Sequence, residues 1–334
     1  MKIEIRNVDR KIWAEVSHLI PEKVFDFHIH SFTHSGFIGE IPELLRIYLS
    51  CDINSVLNNI HLILANRKIS GLITGWPSAM SDLRKQNDYI ASSADENDLF
   101  FLILTNPQLD QSYLETIIKK KRCIGFKPYK CFAKNPEEAR ITDYMSHEQL
   151  EIANHFGFVI TLHLSRKAGI SDQFNIEDLS LLAERYPSII WNLAHCGRSF
   201  IPDYLENSIK QLSHLKKMKI YFDTSAVNDN EVFTIIFSEF GPEKVLYGSD
   251  VPVSLLRGRC VGFGYDWAFI AEETHKISAS FPVSPALVVY EELKAMKKAF
   301  KRLNFSIAET EKIFFKNAIE IVQEIANKKK EIRY

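Results

Sequence analysis

The sequence predicts an α/β fold, a single-domain (β/α)8 TIM barrel. Three observations lead to this prediction: eight short apolar runs, helical patterns between them, and a length of 334 residues that one such barrel can fill. Near-continuous apolar strands alternating with amphipathic helices are typical of a parallel sheet covered by helices. An open doubly wound sheet is the alternative, but no Gly-x-Gly-x-x-Gly follows the first apolar run.

Each predicted strand is a short apolar run followed by polar or turn-forming residues. The eight runs are Val24–His30, Ile69–Thr74, Leu99–Thr105, Cys123–Pro128, Phe158–Leu164, Ile189–His195, Lys219–Thr224 and Lys244–Ser249. The stretches between them, such as Leu114–Lys120 and His147–Phe156, place apolar residues at helical spacing. The chain therefore has the alternation of strand and helix that a barrel requires.

The segments outside the barrel are short. The first 20 residues or so predict an N-terminal cap, and Leu287–Arg302 and Ile307–Lys329 predict two extra C-terminal helices. The basic run Lys328–Arg333 is expected to be a solvated helix end. We therefore expect one domain over residues 1–334, with the barrel core at about 24–324.

Composition excludes several classes of function. The chain has 41 Lys and Arg against 42 Asp and Glu, so its net charge of −1 gives no general attraction to nucleic acid or to anionic membranes. No apolar run approaches the roughly 18–20 residues of a membrane span. The five cysteines form no Cys-x-x-Cys, which fits a reducing cytoplasm. We expect a cytoplasmic protein that acts on a small molecule.

A histidine pair at the end of the first strand is the strongest local signal. His28 and His30 are two residues apart, so their imidazoles project from the same face of the strand. A polar, turn-like stretch follows at residues 31–36. Such a pair can bind a metal ion, although a single buried histidine is often only a hydrogen-bonded core residue.

Other strands also end in residues that can bind a metal or move a proton. Lys127 ends the fourth strand, His163 the fifth, His195 the sixth and Asp250 follows the eighth. The carboxyl ends of barrel strands meet at the rim where such barrels build their active sites. Buried imidazoles and charges there are costly unless a cation satisfies them. The set predicts a metal site.

The ordered set His-x-His, Lys, His, His and Asp resembles the amidohydrolase superfamily of metal-dependent barrels, over about residues 24–324. The stretch Tyr247–Asp250 before a Pro-rich loop, together with Ile313–Ala318, looks like the amidohydrolase-related branch. That branch also includes the relatives of aminocarboxymuconate-semialdehyde decarboxylase. The pattern is specific for the superfamily and poorly specific for the substrate.

The resemblance and the chemistry of these residues together imply roles. His28, His30, His163 and Asp250 would bind one divalent ion with an open position for water; zinc is expected, with manganese or another divalent ion as the alternative. Asp250 would take the proton from that water and pass it to the leaving group. His195 would polarise the substrate or shuttle a proton, unless it is only a core histidine.

Lys127 leaves the number of ions open. In binuclear members of the superfamily a carboxylated lysine at the end of strand four bridges two metals, and the strand-six histidine binds the second. Lys127 and His195 occupy those places here. In mononuclear members the lysine binds substrate instead. One ion is favoured because the most similar branch is mostly mononuclear.

Cations on the loops after the strands suggest an acidic substrate. These are Lys130, Arg166, Arg198, Arg257 and Arg259. Lysine and arginine there suit a carboxylate, although surface cations are often only solvated. Trp76, just after the second strand, could wall the pocket or belong to the core.

Three functions remain open. The first is a hydrolase that uses metal-activated water on a C–N or C–O bond of a small, carboxylate-bearing metabolite. The second is a non-oxidative decarboxylase on the same site, and the third is a non-catalytic barrel that only binds. Loops such as 252–264 carry no readable substrate signal, and a homodimer is compatible with the resemblance without any sequence feature that shows an interface.

Overall fold

The structure is a computed structural model that describes residues 3–39, 41, 43–47 and 51–332. Three parts of the sequence predictions lie outside the described residues. They are the first two residues of the predicted cap, Glu40 in the loop after the first strand, and Arg333 in the predicted terminal run. Within the described ranges, no helix is long and apolar enough to cross a membrane.

The predicted barrel is confirmed, because eight parallel strands lie side by side in chain order. They are β1 Lys23–His30, β2 Lys68–Thr74, β3 Phe100–Thr105, β4 Cys123–Pro128, β5 Val159–Leu162, β6 Ile190–Leu193, β7 Ile220–Asp223 and β8 Val245–Leu246. The barrel closes where the Phe27 amide donates to the Tyr247 carbonyl at 2.8 Å and the Asp250 amide donates to the His28 carbonyl at 2.8 Å.

The strands are buried on both faces, which explains their near-continuous apolar sequences. In β1 only Lys23 is exposed. Gly125 in β4 lies opposite Val159 in β5. A Cβ atom on Gly125 would lie 1.9 Å from the Val159 carbonyl oxygen, so the two backbones can approach this closely only with glycine at that position.

Helices cover the outside of the barrel. They are Asn7–Val16, Glu43–Arg46, Ile53–Ile63, Leu83–Glu96, Gln111–Ile117, Ile141–Tyr144, His147–Phe156, Gln173–Arg185, Pro202–Leu212, Asn230–Phe240, Glu272–His275, Ile277–Ser280, Val288–Arg302, Ile307–Glu311 and Asn317–Glu331. Several begin after an aspartate whose carboxylate accepts backbone N–H bonds, namely Asp52, Asp82, Asp110, Asp172 and Asp229. These caps satisfy the free amides of the first turn and so fix where each helix begins.

The second predicted C-terminal helix is interrupted. A wider π-type turn at Lys312–Lys316 separates Ile307–Glu311 from Asn317–Glu331. Within that turn the Ile313 carbonyl accepts the Tyr247 amide at 2.9 Å. The turn thus connects the residue after β8 to the C-terminal helix by a hydrogen bond. The apolar periodicity of a sequence does not show such a tertiary contact, so an unbroken helix was predicted.

An antiparallel hairpin after β8 was not predicted. It consists of β9 Gly258–Phe263 and β10 Asp266–Ala271, paired from Gly258 opposite Ala271 to Phe263 opposite Asp266. Most of its residues are partly exposed or exposed, so the two strands show no clear apolar alternation. The hairpin lies over the carboxyl-terminal rim of the barrel, where it forms part of a cavity wall.

Candidate metal centre and active-site cavity

The carboxyl ends of the strands surround one cavity of about 230 Å³. It is lined by the predicted site residues His28, His30, Trp76, Lys127, His163, His195, Arg198 and Asp250. It is also lined by residues that the sequence did not single out: Pro77, Tyr129, Phe200, Ala226, Val253, Cys260, Trp267 and Phe269. The second set is mostly apolar and aromatic, so a polar floor lies beneath an apolar wall.

The histidine pair meets Asp250 at the floor of this cavity. The Nε2 atoms of His28 and His30 are 3.2 Å apart, and they lie 3.7 and 3.6 Å from Oδ1 of Asp250. The Nδ1 atom of His30 lies 2.9 Å from the Gly75 carbonyl, and that of His28 lies 3.1 Å from Oδ2 of Asp223. Carbonyls and carboxylates only accept, so both Nδ1 atoms carry the proton and both Nε2 atoms have lone pairs.

These three atoms fit a divalent metal. Two imidazole lone pairs and a carboxylate oxygen converge, and neither Nε2 atom has a proton with which to bond the other. Ligand bonds of about 2.1 Å in a tetrahedral shell place neighbouring ligand atoms about 3.4 Å apart. The separations of 3.2 to 3.7 Å among His28, His30 and Asp250 bracket that value. A bound cation would relieve the repulsion between the lone pairs.

Asp223 holds a second part of the site that the sequence analysis did not assign. Its Oδ2 atom contacts His28 and accepts the Asn192 side-chain amide at 3.0 Å, and its Oδ1 atom accepts the His195 amide at 2.9 Å. Burial disfavours its charge, but His28 and His195 hold the pKa of this carboxyl below its usual value. Because Asp223 ends β7, the strand-end argument that found the other residues applies to it as well.

His28, His195 and Asp223 form a second group of close ligand atoms in the described part of the chain. The Nδ1 atoms of its two histidines already have a hydrogen-bond partner, since the Ser225 hydroxyl lies 3.1 Å from Nδ1 of His28 and 2.9 Å from Nδ1 of His195. A carboxylate behind a metal-binding histidine is the usual way of orienting the ring and fixing its tautomer. Asp223 therefore supports the first group through His28.

His163 lines the same cavity but belongs to neither group of close ligand atoms among the described residues. Its ring lies 4.5 Å from that of Tyr129 and 5.2 Å from that of His195, measured between centroids. Its buried Nδ1 atom has no hydrogen-bond partner within the described residues. His163 as a metal ligand stays a prediction, and its unsatisfied nitrogen is consistent with a bound group.

His195 begins a left-handed turn. Four consecutive residues, from His195 to Arg198, have φ between 50° and 69°. Left-handed helical conformation costs about 1–2 kcal/mol for each non-glycine residue, so the surroundings must enforce it. The Asp223 carboxylate accepts the His195 amide, and Arg198 donates to the Leu164 and Arg166 carbonyls at 2.9 and 2.8 Å. The turn places both His195 and Arg198 on the cavity wall.

Burial determines the charges in the cavity. It lowers the pKa of His195 to about 3 and holds the pKa of His30 and His163 well below the usual range, with neighbouring cationic groups adding to the effect. It lowers the pKa of Lys127 to about 8 and raises that of Asp250 to about 6. His30, His163 and His195 are therefore neutral at pH 7. Lys127 Nζ lies 3.1 Å from Nε2 of His28.

Two predicted substrate residues do not line the cavity. Lys130 forms an ion pair with Glu137 at 2.6 Å. Arg166 donates to the Glu138 carbonyl at 2.8 Å, and its guanidinium lies 4.4 Å from the ring of Phe174. Both follow a strand end in sequence, but their loops turn these side chains toward local partners.

Two further loop cations also have structural partners. Arg257 forms a buried ion pair with Asp9 of the N-terminal helix at 2.9 Å. Arg259 donates to the Asn228 carbonyl at 3.0 Å and lies 3.6 Å from Glu291. Of the loop cations named from the sequence, Arg198 alone lines the described cavity.

The fold and the site define a (β/α)8 barrel with a candidate divalent-metal centre at the ends of its strands. The chain belongs to the amidohydrolase family, whose sequence pattern matches residues 26–323. That match confirms the resemblance seen in the motifs. A comparison with curated protein sequences found no significant match.

Solved structures share this fold at low sequence identity. An amidohydrolase from Burkholderia multivorans with bound zinc aligns with a TM-score of 0.61 and 12% identity, over 90% of this chain and 99% of its own. A dihydroxybenzoic acid decarboxylase from Polaromonas sp. JS666, with bound manganese and 2-nitroresorcinol, aligns with a TM-score of 0.58 and 13% identity, over 91% and 97%. A probable 2-pyrone-4,6-dicarboxylic acid hydrolase from Acinetobacter baumannii aligns with a TM-score of 0.56 and 15% identity, over 90% and 99%. Identities this low establish the common fold alone.

Proposed function

We propose that the protein is a metal-dependent hydrolase that cleaves a C–N or C–O bond of a small, carboxylate-bearing metabolite. The observation that carries this proposal is the convergence of two imidazole lone pairs and the Asp250 carboxylate, 3.2 to 3.7 Å apart, at the cavity floor. A divalent ion bound by His28, His30 and Asp250 would supply a Lewis acid. We favour zinc, with manganese as the alternative, and one ion, because a single ion would satisfy the three converging atoms of His28, His30 and Asp250.

Two residues of the cavity are placed to handle protons. Asp250 lies against both imidazoles, so its carboxylate can accept a proton from the attacking water and pass it to the leaving group. The Nδ1 atom of His195 lies 2.9 Å from the Ser225 carbonyl, which leaves its Nε2 atom with a lone pair. His195 can therefore accept a hydrogen bond or a proton from a substrate held in the cavity.

Arg198 supports a carboxylate on the substrate. Its side chain lines the cavity, the residue is only 7% exposed, and its Nε atom has no partner among the described residues. Its described hydrogen bonds go to the backbone carbonyls of Leu164 and Arg166, which are neutral. Among the described residues, Glu137 is a carboxylate that acts on this guanidinium without a hydrogen bond to it. A substrate carboxylate that paired directly with Arg198 would therefore bind strongly.

A non-oxidative decarboxylase is the second candidate, supported by the shared fold of the Polaromonas dihydroxybenzoic acid decarboxylase. In that reaction the bond from carbon to the carboxylate breaks and CO₂ leaves. The electron pair left on carbon takes a proton, which the Asp250 carboxyl could donate after taking it up from solvent. The aromatic wall formed by Trp76, Phe200 and Trp267 would suit a planar acid.

Isotope labelling separates the two reactions. The zinc- or manganese-loaded protein is incubated with a panel of carboxylate-bearing amides, lactones and aromatic acids, once in H₂¹⁸O and once in D₂O. Hydrolysis places one ¹⁸O in a product, whereas decarboxylation releases CO₂ and places one deuterium on carbon. We expect hydrolysis, with one ¹⁸O in a product and no release of CO₂.

Asp250→Asn tests the catalytic assignment for either reaction. Loss of its proton transfer should lower turnover by about 10²- to 10⁴-fold. Asp98→Asn is the matched control, because Asp98 is 90% exposed and precedes β3 at the opposite end of the barrel. Full turnover in Asp250→Asn would contradict the mechanism, and a wild-type protein that neither turns over any acid nor takes up metal would favour a binding barrel.

A further inference from the structure

Glu292 is a fully buried acidic residue that does not line the described cavity. It lies on the helix Val288–Arg302. Its Oε1 atom lies 2.8 Å from the Thr224 hydroxyl, within hydrogen-bond distance, and its Oε2 atom accepts the Ala226 amide at 3.2 Å. One carboxyl group therefore bonds both neighbours of Ser225.

Ser225 in turn contacts His28 of the proposed metal group and His195 of the cavity wall. Its carbonyl lies 2.9 Å from Nδ1 of His195, and its hydroxyl lies 3.1 Å from Nδ1 of His28. The same hydroxyl donates to Asp223. Any shift of Ser225 would change the hydrogen bonds that set the tautomer and orientation of these two rings.

The segment that Glu292 bonds is strained, and its position matters for the sheet. Ala226 has φ of 57°, a left-handed conformation that an alanine rarely adopts without external support. The Thr224 hydroxyl also accepts the Gly248 amide at 3.3 Å, which connects the segment to the end of β8. The intrinsic backbone preferences of residues 224–226 do not favour this turn, so its conformation depends on the contacts with Glu292.

We propose that Glu292 is a positioning residue for the metal centre. By bonding Thr224 and Ala226 it fixes Ser225, and through Ser225 it holds the Nε2 atoms of His28 and His195 toward the cavity. This inference rests on the proposed metal centre, in which Glu292 itself binds neither metal nor substrate.

Two substitutions of Glu292 distinguish the effect of its hydrogen bonds from the effect of the volume that its side chain fills. Glu292→Leu removes both bonds at similar volume. Glu292→Gln can keep both, because its amide oxygen can accept the Ala226 amide while the Thr224 hydroxyl turns to accept from its NH₂ group. Asn317→Leu is the control, since Asn317 donates to the Pro242 and Val245 carbonyls, both at 2.8 Å, near the start of β8 and away from the metal site.

Cobalt(II) is the probe, titrated into each metal-free variant while its visible absorption is recorded, with thermal melting measured alongside. Loss of a direct outer partner of a metal-binding histidine typically lowers affinity about 10- to 100-fold. Glu292 acts one residue further out, through Ser225, so Glu292→Leu should bind cobalt more weakly by up to about 10-fold and with an altered spectrum. Glu292→Gln should restore wild-type affinity and spectrum. Asn317→Leu should have a lower melting temperature but the same cobalt affinity and spectrum as the wild type.

Unchanged cobalt binding in Glu292→Leu would overturn this inference alone, as would an equal loss of affinity in Asn317→Leu. A wild-type protein that binds no cobalt would overturn the metal centre itself. If Glu292→Leu does not fold, Thr224→Val removes one of the two bonds and must weaken cobalt binding in the same direction; wild-type binding in that variant would also overturn the inference.

Discussion

Nδ1 of His28 lies 3.1 Å from Oδ2 of Asp223, although 195 residues separate the two in the chain. The contact joins the first and seventh strands of the barrel at their carboxyl ends. It orients the His28 ring so that Nε2 faces His30 and Asp250. A carboxylate outside the three proposed ligands would therefore affect how well a metal binds at His28, His30 and Asp250.

Asp223→Asn is expected to weaken zinc binding about 10- to 100-fold, because an amide no longer stabilises the protonated Nδ1 of His28 as a carboxylate does. Equilibrium dialysis against zinc measures the change. Asp178→Asn is the control: Asp178 is also buried and accepts the Ile141 amide at 3.0 Å, but its partner is Arg140 on the barrel exterior. Equal affinities in both variants would exclude the proposed role of Asp223.

Removing the metal should lower the melting temperature, and adding zinc should restore it. A ligand at 100 times its dissociation constant stabilises the folded state by about 2.7 kcal/mol. His30→Asn should abolish this zinc-dependent shift, whereas His155→Asn, at an exposed helix position, should keep it. Differential scanning calorimetry with and without chelator gives the comparison, and a full zinc shift in His30→Asn would place the metal elsewhere.

We predict that the free energy of unfolding of the metal-free protein depends on pH through Glu292. Burial holds the pKa of Glu292 well above its usual value of 4.5. Above about pH 4.5 the carboxyl is ionised in the unfolded state but keeps its proton in the folded state. The protonated Glu292 therefore contributes fully to the free energy of unfolding at low pH, and this contribution is lost as the pH rises toward the pKa of the folded state.

Glu292→Gln does not titrate, so its stability relative to wild type should rise by about 1.4 kcal/mol per pH unit above pH 5, until the folded pKa is reached. Urea unfolding of both proteins at pH 5, 6 and 7, with chelator present, measures the difference. A difference that stays constant over this range would mean that Glu292 is ionised in the folded protein.

Gly125→Ala should destabilise the barrel by about 3 kcal/mol or more, since the new methyl group would lie 1.9 Å from a backbone oxygen of β5 and the strands must separate. Gly262→Ala is the control, where the nearest atom to a new Cβ is Ile201 Cγ2 at 3.2 Å and the hairpin can adjust. Its stability should stay within about 1 kcal/mol of wild type. Similar melting curves for the two variants would contradict the register of β4 and β5.

The barrel was predictable because each strand is buried on both faces and its sequence is continuously apolar. The rim residues His28, His30 and Asp250 followed from their positions after such strands. Asp223 ends β7 and therefore lies at the same rim, although it belongs to none of the ligand motifs that the sequence shows. The hairpin 258–271 had only a weak signal, because few of its residues are apolar and face the cavity, namely Cys260, Trp267 and Phe269, and glycine occupies two of the six positions of β9.

Loop side chains were the least predictable part of the site. Lys130, Arg166 and Arg198 all follow strand ends, yet only Arg198 lines the cavity. The difference arises from the left-handed turn His195–Arg198, whose conformation depends on distant partners such as Asp223 and Ile170. A Cβ atom on Gly197 would lie 2.7 Å from Cβ of Ile170, so the turn needs both a glycine and a contact that sequence spacing does not show.

The most direct test of the metal centre is an anomalous difference map at the zinc edge, from crystals grown with zinc. We predict one peak, about 2.0–2.2 Å from Nε2 of His28, Nε2 of His30 and a carboxylate oxygen of Asp250. Two peaks bridged by a carboxylated Lys127 would contradict the single ion. The absence of any peak between His28, His30 and Asp250 would contradict the metal centre and the function proposed from it.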